Sequence, residues 1–238
     1  MMRKFLRSFL LLVFLAGTTL SLRGQSQNRQ EYYGDPIHFG FFLGVNSTNF
    51  MITPVHSLPD SVKTILSSKH TGFNLGIVSE LRLHEYVTLR FVPDIAFGSR
   101  SIEYHVEGVD TVDYVKKVES TFLDFPLDIK VRSKRLNNFA AYMVAGGKYT
   151  LDLASQKDVN NASATNAQKV VKLAKNDWCY EAGAGCDFFL PYFKFGIELK
   201  LSLGLRNLLV KDPAGGIFTN SIDSLRSKMF LVSFTFEG

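Results

Sequence analysis

The stretch Phe193–Arg206, FKFGIELKLSLGLR, alternates apolar and polar residues without interruption. Phe193, Phe195, Ile197, Leu199, Leu201, Leu203 and Leu205 share one face, and Lys194, Gly196, Glu198, Lys200, Ser202, Gly204 and Arg206 share the other. Successive side chains of a strand point to opposite sides, so this pattern gives one greasy surface and one polar surface. A tilted strand crosses a bilayer in about 9–11 residues, a length this segment reaches. Lipid is therefore a candidate neighbour for the greasy face.

The N-terminus points the same way. Arg3, Lys4 and Arg7 precede an apolar run from Phe9 to Leu20, followed by a polar stretch with Gly24 and Gln25. Charge, length and flanks are those of a secretory signal peptide, and the run is short for a helical span of about 20 residues. Cleavage is expected after Gly24, leaving residues 25–238 as one domain, with no nearby cysteine to carry a lipid anchor. Four basic residues leave with the peptide, so 23 of the 27 remain against 22 acidic ones, a net charge of +1. No nucleic-acid footprint survives that correction. No second apolar run has helix-spanning length, which excludes a helical membrane protein.

Cys179 and Cys186 remain after cleavage. In one strand they would lie about 23 Å apart on opposite faces, too far for a disulfide. With no CxxC and five dispersed histidines, zinc is no better served.

Alternation predicts eight strands, at about 37–47, 71–83, 86–104, 117–132, 138–153, 177–190, 193–206 and 227–237. Pro93 interrupts the third, implying a bulge or a break in its ladder. Short links at His84–Glu85, Ser133–Asn137 and Pro191–Tyr192 alternate with long ones at Ser47–His70, His105–Lys116, Ala154–Asn176 and Asn207–Arg226. In an up-and-down barrel this places every long loop at one end, as in outer-membrane barrels. The fold expected is an all-β, eight-stranded antiparallel up-and-down transmembrane β-barrel with short periplasmic turns and long extracellular loops.

Glu80, Arg82, Arg90, Asp94, Asp124, Asp128, Lys130, Lys148, Glu181, Asp187, Glu198 and Lys200 all fall opposite the apolar face. Periodicity leaves open which face is inside, and a soluble barrel would turn the polar one to water. The signal peptide, the loop asymmetry and the aromatics near strand ends favour lipid outside: Phe39, Phe139, Phe188, Phe193 and Phe236 at the turn end, Phe73, Phe97, Tyr149 and Trp178 toward the loops. Eight strands enclose room only for their own side chains. The inward charges therefore read as a packed ion-pair network with glycines making room, and not as a pore.

No GxSxG, HExxH or P-loop occurs, and Gly146–Gly147–Lys148 lies within a strand pattern with no helix after it. No catalytic, cofactor-binding or metal-binding residue is assigned, and neither a small-molecule substrate nor nucleic acid is expected. A hydrolase would need a Ser/His or Asp/His group at the outer rim, where Ser68, His70, His105 and Asp110 fall by position.

Phe122–Arg132, FLDFPLDIKVR, resembles a strand recurrent in the outer-membrane β-barrel superfamily of the Bacteroidetes. Gly146–Ser155, GGKYTLDLAS, and Pro191–Leu208, PYFKFGIELKLSLGLRNL, are similar to the PorT family of the type IX secretion system and gliding motility. Where relatives are expected to read FSPELK, Phe195–Lys200 reads FGIELK, without the Ser-Pro pair but with its Glu and Lys. The resemblance implies a noncatalytic outer-membrane component needed to export proteins with a C-terminal sorting domain. Its partners would be outer-membrane lipid and other secretion components, met through extracellular loops, chiefly Ser47–His70 and Ala154–Asn176, or through periplasmic turns. The alternatives are a structural envelope barrel of the small OmpA/OmpX type and an outer-membrane hydrolase.

Overall fold

The computed structural model describes residue 28 and residues 35–56, 62–106, 112–155, 171–211 and 220–238. The signal-peptide segment 1–24 and Asp110 lie outside the described residues. Within them run β1 (Ile37–Pro54), β2 (Val62–Arg82), β3 (Val87–Phe91), β4 (Asp94–Val106), β5 (Val112–Arg132), β6 (Phe139–Asp152), β7 (Asn176–Phe189), β8 (Lys194–Gly204) and β9 (Ile222–Glu237). All pairings are antiparallel, and β1 pairs with both β2 and β9, so the sheet closes into a ring.

β3 and β4 form a single stave. β2 and β5 pair with both, in unchanged register across the gap at Val92–Pro93. Pro93 has no N–H to offer the ladder, but its carbonyl still accepts from the Ile77 N–H at 3.1 Å. Nine strands thus make the eight staves that the alternation implies. Short turns close one end, and the β5–β6 turn places Asn137 at φ 55°, a left-handed position that asparagine tolerates.

Outward side chains in the ring are apolar and exposed, among them Phe41, Ile77, Ile129, Met143 and Leu199. Paired rings mark both edges. Phe73 lies 4.7 Å from Phe97 and Tyr149 4.9 Å from Trp178 toward the loops, and Phe41 lies 4.9 Å from Phe236 toward the turns. The charged side chains of the ring turn inward, among buried apolar ones such as Phe42, Val78 and Val144. Cys179 is buried on the inner side and Cys186 lies on the outer, and both are free thiols.

The loop end differs from expectation. β2 and β5 each run 21 residues, about 70 Å at 3.3 Å per residue and far more than an apolar band of about 25 Å requires. Much of the expected loops Ser47–His70 and His105–Lys116 is strand, leaving only residues 55–61 and 107–111 between elements. Past Thr48 and His70, β1 and β2 part company. The extension of β1 stays paired with β9, while that of β2 stays with β4 and β5. Between these two projecting sheets sits an apolar core built on Phe50, Ile102, Tyr104, Val118, Ile222 and Leu225. Residues from the expected loops Ala154–Asn176 and Asn207–Arg226 complete it: Leu173 bridges Leu209, and the Leu208 N–H donates to Leu225 O at 2.8 Å.

Polarity reverses along β4 as it enters this cap. On β4 the outward residues are Ile95 and Phe97 and then Ser99 and Glu103, while the inward ones pass from Asp94 to Ile102 and Tyr104. The register with β5 stays unbroken throughout. The reversal records a change of solvent, from lipid around the ring to water around the cap.

Candidate functional site

The lumen is the chemically dense part of the molecule. Strand alternation delivers its charges, because each stave sends every second residue inward. Arg90 on β3 reaches across to β8, where its Nη1 lies 2.6 Å from Glu198 Oε2. Lys130 on β5 joins Glu80 on β2 at 3.0 Å and Asp187 on β7 at 2.9 Å. Lys194 on β8 joins Glu80 at 2.8 Å and Glu237 on β9 at 2.6 Å. Lys200, also on β8, sits among Asp128 at 2.6 Å, Glu181 at 2.9 Å and Glu198 at 3.5 Å.

The network continues toward the cap. Lys148 donates to Asp124 Oδ2 at 2.8 Å, and the Thr150 hydroxyl donates to the other oxygen of that carboxylate at 2.6 Å. Asn74 Nδ2 donates to Asp94 Oδ2 at 2.5 Å, and Asn74 Oδ1 accepts from Asn46 Nδ2 at 2.7 Å. Arg100 stacks between Phe50 and Phe122 and lies 3.6 Å from Asp152, where the charged lumen meets the apolar cap.

Charges taken out of water are tolerated only when paired and hydrogen-bonded, and here Arg90, Lys130, Lys194 and Lys200 each bridge carboxylates on different staves. The arrangement braces the ring from inside. It leaves little free space: two internal voids of about 30 and 20 Å³ adjoin Lys148, room for a water or two each. The inward charges anticipated from sequence are brought together here. Lys194, on the polar face of Phe193–Arg206, and Glu237, the last residue of the final expected strand, belong with them.

The rim candidates are arranged differently. Ser68 and His70 lie within β2 and His105 within β4, not in loops, because these strands run on into the cap. His70 Nε2 and Ser101 Oγ are 2.8 Å apart, and Ser68 bonds to Glu103. Ser101 is only 2 % exposed, so its hydroxyl offers a substrate no line of approach. Gly146–Gly147–Lys148 lies inside β6, with Lys148 turned to the lumen. No group of three or more metal-ligating side chains occurs among the described residues.

The turn end carries a second feature. A basin of about 640 Å³ opens between the β2–β3 and β5–β6 turns, lined by Arg82, Arg132, Lys134 and Arg135 with Glu85 as its one carboxylate.

No curated protein matches the chain. Among solved structures it is similar to OprG from Pseudomonas aeruginosa, with 14% identity over 85% of this chain and 94% of that one and a TM-score of 0.44. It is also similar to Ail of Yersinia pestis in complex with a heparin analogue (11% identity, 86% and 100% coverage, TM-score 0.37). A third is the N-terminal β-barrel domain of Pseudomonas aeruginosa OprF (13%, 82% and 97%, TM-score 0.32). The model of the outer membrane protein beta-barrel domain family matches residues 25–210, from the expected cleavage point through β8, leaving β9 to close the ring. The chain therefore belongs to the outer membrane protein β-barrel domain family and resides in the outer membrane.

Proposed function

We propose that the chain loses residues 1–24 as a secretory signal and then serves as a noncatalytic outer-membrane component of the type IX protein secretion machinery. The observation that carries this reading is the sequence FLDFPLDIKVR at Phe122–Arg132, taken with GGKYTLDLAS and PYFKFGIELKLSLGLRNL. The filled lumen bears on the kind of role. A cylinder crossed by Arg90–Glu198 and Lys200–Asp128 passes no polypeptide, so the contribution to export is in assembly or scaffolding. The partner-facing surfaces are then the outer faces of the cap and the periplasmic turns.

A deletion strain tests this through its secretome. Selective loss of exported proteins with a C-terminal sorting domain, restored by the gene in trans, is the expected result. Normal export would remove the proposal. The braced, closed lumen also suits a purely structural envelope barrel, for which deletion brings detergent sensitivity with export intact.

A further inference from the structure

The lumen pairs its charges, whereas two cations of the basin at the turn end stand apart from any ion pair among the described residues. Arg82 and Lys134 make no ion pair with any described residue, although both line the basin. Their neighbours are held in place by the backbone. Arg132 Nη2 donates to Glu85 O at 3.0 Å, and its own N–H donates to Tyr86 O at 2.8 Å. Arg135 Nε donates to Asn137 O at 2.5 Å, its Nη2 to Asn138 Oδ1 at 2.9 Å, and its guanidinium lies 3.9 Å from the Phe189 ring centroid. The Tyr86 hydroxyl is hydrogen-bonded to the Glu85 carboxylate, the basin's one acid.

Four cations held around one water-accessible basin repel one another, and an anion seated among them relieves that repulsion. Guanidinium forks match the oxygens of a phosphate, and an ammonium adds a point charge. The basin also borders the lipid-facing belt. Leu83, 59 % exposed, is part of its wall, and Leu81 and Val131 continue the apolar surface away from it. An anion there has acyl-chain surface directly beside it.

We propose that this basin binds a phosphate-ester anion between Arg82 and Lys134, supplied by the headgroup of an anionic phospholipid of the inner leaflet. The acyl chains then lie along Leu83, Leu81 and Val131. A zwitterionic headgroup is disfavoured because its quaternary ammonium meets the same cations.

The test uses the full folded chain in maltoside micelles, with retained lipid counted by native mass spectrometry. Dimyristoylphosphatidylglycerol is expected to be retained over dimyristoylphosphatidylcholine, and the double variant Arg82→Gln, Lys134→Gln is expected to lower that preference roughly tenfold. Lys134→Glu, on an exposed turn, repeats the test without touching the barrel wall, and heat-modifiable gel mobility confirms folding of each variant. Inorganic phosphate is titrated in parallel. Displacement of the lipid by equimolar phosphate assigns the site to the free ion, and failure to displace assigns it to the headgroup. Equal retention of the two lipids overturns the proposal, as does a preference unmoved by the variants or capture of a hexaglutamate peptide in place of lipid. A role limited to balancing the acidic lumen would lower the unfolding midpoint of the variants without changing lipid retention.

Discussion

Arg90 and Glu198 meet across the lumen at 2.6 Å, joining staves β3 and β8 that share no hydrogen bond. Arg90 also faces Glu80 at 3.5 Å and Glu237 at 4.0 Å, so one guanidinium ties three carboxylates on three strands. Backbone ladders hold neighbouring staves together, and contacts of this kind fix staves that are not neighbours. Removing the guanidinium leaves three buried carboxylates to share Lys130, Lys194 and Lys200 alone, which costs about 3–5 kcal/mol. Arg90→Ala is therefore expected to lower unfolding stability by that amount in liposomes, measured by urea titration with tryptophan fluorescence at Trp178. A loss below 1 kcal/mol would mean that the carboxylates reach water.

The reversal of polarity along β4 predicts opposite outcomes for two outward leucines. Leu199 on β8 is 50 % exposed in the ring, and Leu66 on β2 is 48 % exposed beside the cap. In lipid, an arginine at the first position costs about 2–4 kcal/mol near the bilayer midplane. In water, an arginine at the second changes stability by less than about 0.5 kcal/mol. Folding yields into vesicles for Leu199→Arg and Leu66→Arg compare the two directly, and equal penalties would erase the boundary placed between them.

The stave count and the inward charges were legible in the sequence because both follow from period two along each strand, and the break at Pro93 because proline offers the ladder no N–H. Which cation meets which acid was not. Arg90 and Glu198 are far apart in the chain and meet only once the ring closes. The cap was missed for another reason. On β4 the apolar positions move by an odd step from Ile95 and Phe97 to Ile102 and Tyr104, and the expected strand 86–104 covered them without showing that its inner face had turned apolar. No bulge interrupts the register with β5 there, so the phase slip marked a change of solvent on a continuing strand. Ser68 and His70 fell in the expected loop Ser47–His70 because the β2 ladder with β4 shifts register between Lys69 and Phe73, which breaks the alternation there.

Packing in the cap is separable from packing in the ring. Ile102 is fully buried among Phe50, Tyr104 and Leu225. Ile102→Ala removes contacts worth about 2–5 kcal/mol, and the loss falls on the cap alone. Limited proteolysis is expected to accelerate at residues 55–61 and 107–111, while heat-modifiable mobility, which reports the membrane ring, stays unchanged. Loss of the folded band together with the loop cleavage would show that ring and cap form one cooperative unit.

Adjacent glycines on β6 give the sharpest test of which surface is inside. Gly146 faces the lumen, where an added Cβ would lie 2.2 Å from Leu127 O and 2.3 Å from Asp128 Oδ1. The carbonyl belongs to the neighbouring ladder and the carboxylate is held by Lys200 at 2.6 Å, so neither has freedom to retreat. Gly147 points outward, and its nearest neighbour to an added Cβ is Cys179 O at 3.9 Å. Gly146→Ala is expected to destabilise by about 1–3 kcal/mol through overpacking, and Gly147→Ala to stay within about 0.5 kcal/mol of the parent. The same methyl, moved one residue along the strand, thus separates a lumen filled by its own side chains from a surface with space outside it. Urea midpoints of the two variants in one lipid read the difference, and a tolerated Gly146→Ala would require a wider lumen than the Lys200–Asp128 contact allows.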